Sequence, residues 1–466
     1  MNCQLRACLL SGCAFALFSV SLPAQNNQNN NFQRLPPATT VQQPTFGVSI
    51  NAQGILAAKM FAGPGHRHLL QRNVLANPKL NQDVNRYSAS RKISLKRLAE
   101  HLSRQLDQQQ TIDEVAAKLA GLTKIHTVVT LPADKDILIV GNAEGWFEDA
   151  SSRCLGAKTG APTILLEDLL TALHQFHPTT PRGNWVGCSI EPKPQALAEL
   201  KKFNQTIPKS VSQSAKARVV RNVIQGTART LGNADIKVFG ISPKTHMSRV
   251  LVEADYRMKL IAVGVERPPI AMPSFYQRVQ LPPRSAFQRW WFVPSADQVK
   301  VSADNLSVHL SGEKVDLLTE AYATTKSGQL FHTGKQPSGP AKAFADQFSR
   351  DFAKIAQASP VFAQMKNMID LLVAAAFLQQ SNAFQQTELN DSGLFAHGSS
   401  LIETGLEPKE VACVANGGWK GNQMIAVAGG GVSIDAGALL EKAELLRDET
   451  ETSIHLPKEA KRWWWD

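Results

Sequence analysis

The chain has 466 residues, of which 43% are hydrophobic and 19% charged. That balance excludes a disordered or collagen-like chain and supplies apolar material for two or three domains, or one large one. Lysine and arginine exceed aspartate and glutamate by 50 − 39 = 11, which suits the chain to anionic partners.

In chain order, Arg6 precedes an apolar run from Ala7 to Leu22, with Ser21, Pro23 and Ala24 at its end. This is the pattern of a secretory signal peptide over residues 1–24. A rival reading takes Leu10-Ser11-Gly12-Cys13 as a lipobox, with Cys13 as a lipidated N-terminus. Residues 25–44 open with the Asn/Gln tract Gln25–Gln33 and read as a disordered polar linker. No later stretch is expected to span a bilayer, since the most apolar one, Ile369–Leu378, has about half the length needed. The expected product is a soluble exported protein of the periplasm, cell envelope or extracellular space.

Alternating residues from Phe46 to Lys59 predict a hairpin in which Gly54 takes the left-handed conformation. Leucines at helical spacing predict a helix over Ser94–Gln109, and Thr111-Ile112-Asp113-Glu114 is a capping box for a second helix to Leu122. Ile125–Leu131 and Ile137–Val140 predict strands of a hairpin. Asp168 is expected to cap a helix through Phe176, followed by a strand at Trp185–Ile190 and a helix at Ala196–Phe203. An amphipathic helix over Ser214–Leu231, a strand at Ile236–Ile241 and a helix over Thr245–Val263 complete a domain at residues 45–266. The proline-rich stretch 267–284 reads as a connector to a second domain at 285–446. That domain is predicted to hold strands near 290–293, 299–302, 306–310, 411–414 and 424–428, and helices at 341–357 and 361–380. Residues 447–466 form a charged, Trp-ended tail. Helices and strands intersperse without a βαβ rhythm, so the expected class is α+β with mainly antiparallel strands in two subdomains.

Three segments resemble one another: Gly47–Ala52, Gly431–Ala436 and, more loosely, Gly187–Pro192. Their unequal spacing excludes a solenoid, and a recurrent strand ending in an amide or acid that binds the next turn accounts for them.

After the leader, three cysteines remain, Cys154, Cys188 and Cys413, so at most one intrachain disulfide is possible and its pairing is open. Their spacing offers no metal site, and no cofactor is predicted. Residues 200–234 contain no acid but seven lysines and arginines. On the Ser214–Leu231 helix this places Arg218, Arg221 and Arg229 opposite the valines, either as a solvated face or as a surface for an anionic envelope polymer or membrane. Only Phe203 interleaves the run, so nucleic acid is an unlikely partner. A second basic stretch carries Arg86, Arg91, Lys92, Lys96, Arg97 and Arg104. The Arg-led clusters Trp290-Trp291 and Trp463-Trp464-Trp465 read as core strand residues and as a tail that folds back or docks on a protein partner or membrane.

Catalytic signatures such as GxSxG, HExxH or a P-loop are absent from the sequence. Ser311-Gly312-Glu313-Lys314 matches SxxK but reads as a hairpin turn, and His66-Arg67-His68 reads as a solvated loop. On the Thr245–Val263 helix, Glu253 lies four residues from Arg249 and Arg257, and Asp255 four from Lys259. These are either surface ion pairs of the helix or, with His246, the acid–base groups of a pocket. The phrases GVSINAQG, IVGNAEGW (Ile139–Trp146), EADYRMKLIAVGVERPP (Glu253–Pro269), RWWFVP (Arg289–Pro294) and GGGVSIDA (Gly429–Ala436) together resemble a family of secreted planctomycete proteins catalogued as domain of unknown function 1598. The resemblance implies a match over nearly the whole mature chain, export and an envelope setting; it carries no catalytic residue. The expected function is binding or scaffolding through a basic face, with a hydrolase-like site near the Thr245–Val263 helix as the alternative.

Overall fold

The structure is a computed structural model that describes residues 15–16, 18–20, 45–61, 80–177, 185–208, 211–279, 287–295, 299–324, 330–332, 334, 336–337, 339–389, 401–420, 423–427, 431–445 and 464–466. Helices and mostly antiparallel strands give the α+β class expected. The largest sheet runs, from edge to edge, Leu330–His332, Val315–Thr324, Phe287–Pro294, Gly431–Asp435, Trp185–Pro192, Asn233–Phe239, Glu410–Ala412, Ile55–Phe61 and Thr45–Ile50. Phe15–Ala16 pairs beside Phe287–Gln288. A second sheet orders Glu444–Leu445, Val299–Val301, Ser307–Leu310, Leu122–Leu131, Asp136–Ala143 and Ser88–Ser94. Both sheets take strands from before and after the proline-rich stretch, so the two halves of the chain share their hydrogen-bond ladders.

Between the sheets lie two helices that are buried on most faces. The central helix, His246–Val263, packs on strands Trp185–Pro192 and Gly431–Asp435. The helix Pro360–Gln380 packs on the central helix and on strands Leu122–Leu131 and Ser307–Leu310. A helix buried from all sides loses the one-sided patterning of a surface helix, which is why Ile369–Leu378 reads as a nearly continuous apolar run. Among the described residues, Pro360–Gln380 is also the one helix long and apolar enough to cross a membrane, and most of its apolar window is buried in this fold. Trp290 meets Phe275 and Phe344 edge-on at 4.9 and 5.8 Å, and Phe292 packs with Phe348 and Phe362, so Trp290 is the core residue its strand pattern suggested.

Local signals place most elements. Thr45–Ile50 and Ile55–Phe61 form the first hairpin, with Gly54 at φ +81° and the Asn51 side chain accepting from the amides of Gln53 and Ile55. The three similar segments are three strands of the largest sheet, and two pair directly, Cys188 opposite Val432. Four expectations need correction. The helix predicted from Thr111 to Leu122 is one turn, Glu114–Ala117, capped by Asp113 rather than Thr111. Positive φ at Leu119, Ala120 and Gly121 then turns the chain into a strand starting at Leu122. The predicted 341–357 helix breaks at Asp351 into Gly339–Arg350 and Phe352–Ala358. Asp168 does not cap its helix; Leu165 holds that position, and the Asp168 carboxylate has a longer-range partner. Finally, Ser311–Lys314 is a crossover rather than a hairpin turn, because Ser307–Leu310 and Val315–Thr324 belong to different sheets.

Candidate functional site

The central helix starts where the Thr245 hydroxyl accepts from the Ser248 amide and ends at Gly264, in the left-handed conformation. At about 100° per residue, His246 and Glu253, seven apart, lie on one side, whereas Asp255 lies opposite them. The three candidate acid–base residues therefore do not converge on one pocket. Each joins a different buried group.

His246 Nδ1 lies 2.8 Å from Asp168 Oδ2 on the neighbouring Leu166–Gln175 helix. Burial alone would lower the imidazole pKa, but the facing Asp168 carboxylate outweighs it and the net shift is upward. Glu253 is bonded to Arg153 and lies 3.7 Å from Arg257, which in turn binds Glu266 at 2.6 Å. Arg153 also donates to Gln364 on the second core helix at 2.9 Å. This chain of alternating charges ties the 149–153 turn, both core helices and the turn after Gly264 together. Burial raises the Glu266 carboxyl, and the Arg257 guanidinium rises despite its burial because Glu266 faces it. On the opposite side, Lys259 Nζ donates to Asp255 Oδ2 at 2.5 Å, while Asp255 Oδ1 is buried without a partner. Full burial pushes the Asp255 carboxyl up to about 6.

The spacing of these charges was legible, but their setting was not. Glu253, Asp255, Arg257 and Lys259 are all buried, so they are not surface pairs of a few tenths of a kcal/mol. Removing one partner of such a pair costs roughly 3–5 kcal/mol, because the other charge stays in the interior. The expected Arg249–Glu253 pair does not form; Arg249 lies against Gly405, and its Nε is buried and unpartnered. Arg153, Glu266, Gln364 and Asp168 were missed in the sequence. Only Glu266, close in the chain, left any local signal.

The basic helix is the second candidate. Lys216–Leu231 packs on the preceding helix Pro194–Gln205 through Val219, Val220, Val223, Phe203 and Ile207. Gly226 allows this approach, since a Cβ there would meet the Phe203 ring at 2.2 Å. Opposite this contact, Arg218, Arg221, Asn222, Gln225 and Arg229 are exposed. Lys201 and Lys202 are exposed on the partner helix. No ion pair joins Arg218, Arg221 or Arg229 to an acid among the described residues.

Of the tail, the described residues 464–466 fold back on the chain itself. Trp463 lies outside the described residues, but Trp464 and Trp465 are 5% and 9% exposed, and an isolated β-bridge pairs Trp465 with Ile93 of the edge strand Ser88–Ser94. The Ser94 amide donates to Trp464 O at 2.8 Å and the Asp466 amide to Lys92 O at 3.1 Å, while Lys92 holds the Asp466 carboxylate. Arg91 lies over the Trp465 ring at 5.0 Å and donates to the carbonyls of Asp83, Val84, Arg86, Ala120 and Asp466. Burial lowers the Arg91 guanidinium to about 10. Trp464 and Trp465 are thus spent inside the chain, because an exposed aromatic pair gains more by covering a sheet edge than by facing water. Arg91, part of the second basic stretch, is 2% exposed under this cover.

Cys154, Cys188 and Cys413 are free thiols, and burial raises all three, Cys413 to about 12, which suppresses the reactive thiolate. No group of three or more His, Cys, Asp or Glu is placed to hold a metal ion among the described residues. The His66-Arg67-His68 cluster falls outside the described residues.

Residues 188–275 match the model of the family described as "Protein of unknown function (DUF1598)". The match takes in the strand from Cys188, both helices of the basic pair, the strand Asn233–Phe239 and the whole central helix. It is shorter than the near-complete coverage expected; of the phrases that carried the resemblance, only the one at Glu253–Pro269 falls within it. No curated protein and no solved structure matches the chain.

Proposed function

We propose, taking residues 188–275 as the family segment around which the rest of the chain is built, that this is an exported binding or scaffolding protein whose basic helix contacts an anionic partner. The observation that carries this reading is the row of Arg218, Arg221 and Arg229, exposed together and joined in no ion pair among the described residues. A charge pattern that served only to stabilise the helix would interleave acids at positions four apart; from residue 200 to residue 234 there are none. The binding reading is favoured over the hydrolase alternative because His246, Glu253 and Asp255 are divided between separate buried pairs. Export rests on Arg6 and the apolar run that follows it. The test is retention on a sulfonate resin at neutral pH. A variant carrying R218E, R221E and R229E should elute well before one with three lysines reversed elsewhere, at Lys300, Lys354 and Lys409. Equal elution of the two would show that net charge alone, not this face, makes the contact. Mass spectrometry of the mature N-terminus tests export: a chain that retains Arg6 removes that part of the reading.

A further inference from the structure

The geometry of the basic face points to one class of anionic partner: a linear polysaccharide carrying sulfate or carboxylate groups, laid along the Lys216–Leu231 helix. This deepens the proposal above and rests on it. Three observations select the class.

The first is the shape of the row. Relative to Arg218 at 0°, helical geometry places Arg221 near −60°, Asn222 near +40°, Gln225 near −20° and Arg229 near +20°. The five exposed side chains therefore form one stripe along the helix rather than a cluster. From Arg218 to Arg229 the stripe is about 16 Å long, at roughly 1.5 Å rise per residue. An extended chain with repeating charges meets such a row along its length; a compact anion would meet one arginine at a time.

The second is what stands between the arginines. Asn222 and Gln225 each carry a donor and an acceptor on one amide, the complement of a sugar hydroxyl, which also donates and accepts. Guanidinium groups bind sulfate or carboxylate in a bidentate manner. The stripe thus interleaves readers of acid groups with readers of hydroxyls. A polyphosphate can accept from the amide N–H groups but offers no donor to the amide oxygens, so it meets only half of what they present.

The third is the chemistry the face lacks. The exposed large apolar residues, Met60, Tyr87, Val265, Leu318, Leu406 and Leu445, all lie outside the helix pair, so nothing on it is placed to enter a lipid interface. Its one aromatic residue, Phe203, is packed against Gly226 and Val223, so no ring is presented for stacking on nucleic-acid bases.

The experiment uses the full mature chain and three probes: heparin as the sulfated linear polysaccharide, single-stranded DNA, and vesicles containing phosphatidylglycerol. Binding is measured by titration at several salt concentrations. Heparin is expected to bind more tightly than either other probe, and R218Q/R221Q/R229Q to weaken it about tenfold or more at low salt. The slope of log affinity against log salt should also fall by roughly two for the triple variant. N222A/Q225A should weaken heparin while leaving vesicle binding unchanged. The control K300Q/K354Q/K409Q, with the same loss of net charge, should stay near the parent. Of these positions Lys300 is half-buried and the others are exposed, and an unchanged melting temperature shows that the variants fold. DNA or vesicles bound through the same arginines as tightly as heparin would overturn the polysaccharide class while leaving the basic-face proposal standing. Binding of no probe, or binding indifferent to the triple variant, would overturn both.

Discussion

Replacing Trp465 by alanine removes the ring that closes the edge of the six-stranded sheet and covers Arg91. A buried tryptophan takes roughly 150–250 Å² out of water, worth about 4–6 kcal/mol at about 25 cal/mol per Å². Core Trp-to-Ala changes measured elsewhere cost about 3–5 kcal/mol. Residues 464–466 are a short segment held by one β-bridge, which can peel away rather than leave a sealed cavity, and this favours the lower end. Against that, the Arg91 guanidinium loses its aromatic cover and the Asp466 carbonyl, keeping only the carbonyls of Asp83, Val84, Arg86 and Ala120. We expect Trp465→Ala to destabilise the fold by about 3 kcal/mol. Urea denaturation followed by far-ultraviolet circular dichroism, which does not depend on the deleted fluorophore, reads the shift. A loss under about 0.5 kcal/mol, the size of an ordinary surface substitution, would show that the tail does not dock and would return these tryptophans to the solvent.

Two other consequences are open to measurement. The Asp255 carboxyl is raised to about 6 by burial, so between its unfolded value near 4 and about 6 the native state binds the extra proton. Its contribution to stability is therefore greatest at low pH and declines as pH rises through that window, and Asp255→Asn should remove this part of the slope while lowering stability overall because Lys259 is left unpaired; an unchanged slope in chemical denaturation at pH 4, 5, 6 and 7 would count against the buried pair. Gly226→Ala should destabilise by about 1–3 kcal/mol even though alanine is normally the better helix former by about 1 kcal/mol, because its methyl group would press on the Phe203 ring; a rise in melting temperature would mean that the two basic helices do not pack as described.

The local elements were legible in the sequence: the Asn51–Gly54 turn, the helices that start at Ser94 and Thr245, the valine face of the basic helix and the interspersed order that makes the chain α+β. These are contacts between residues a few positions apart, and periodicity and turn chemistry record them directly. The sequence also placed Arg218, Arg221 and Arg229 on one face, since a helix fixes the directions of its own side chains. What faces each element was decided only by the tertiary structure. Asp168 is held by His246, 78 positions away, and Glu253 by Arg153, 100 positions away; the Trp464–Asp466 tail closes on Arg91 and Lys92 across most of the chain. A charge on a helix has the same local pattern whether water or another element covers it. Burial turns such a charge from a solvated group into half of an interior pair, and only the packing of the two sheets around the central helices determines which of the two it becomes.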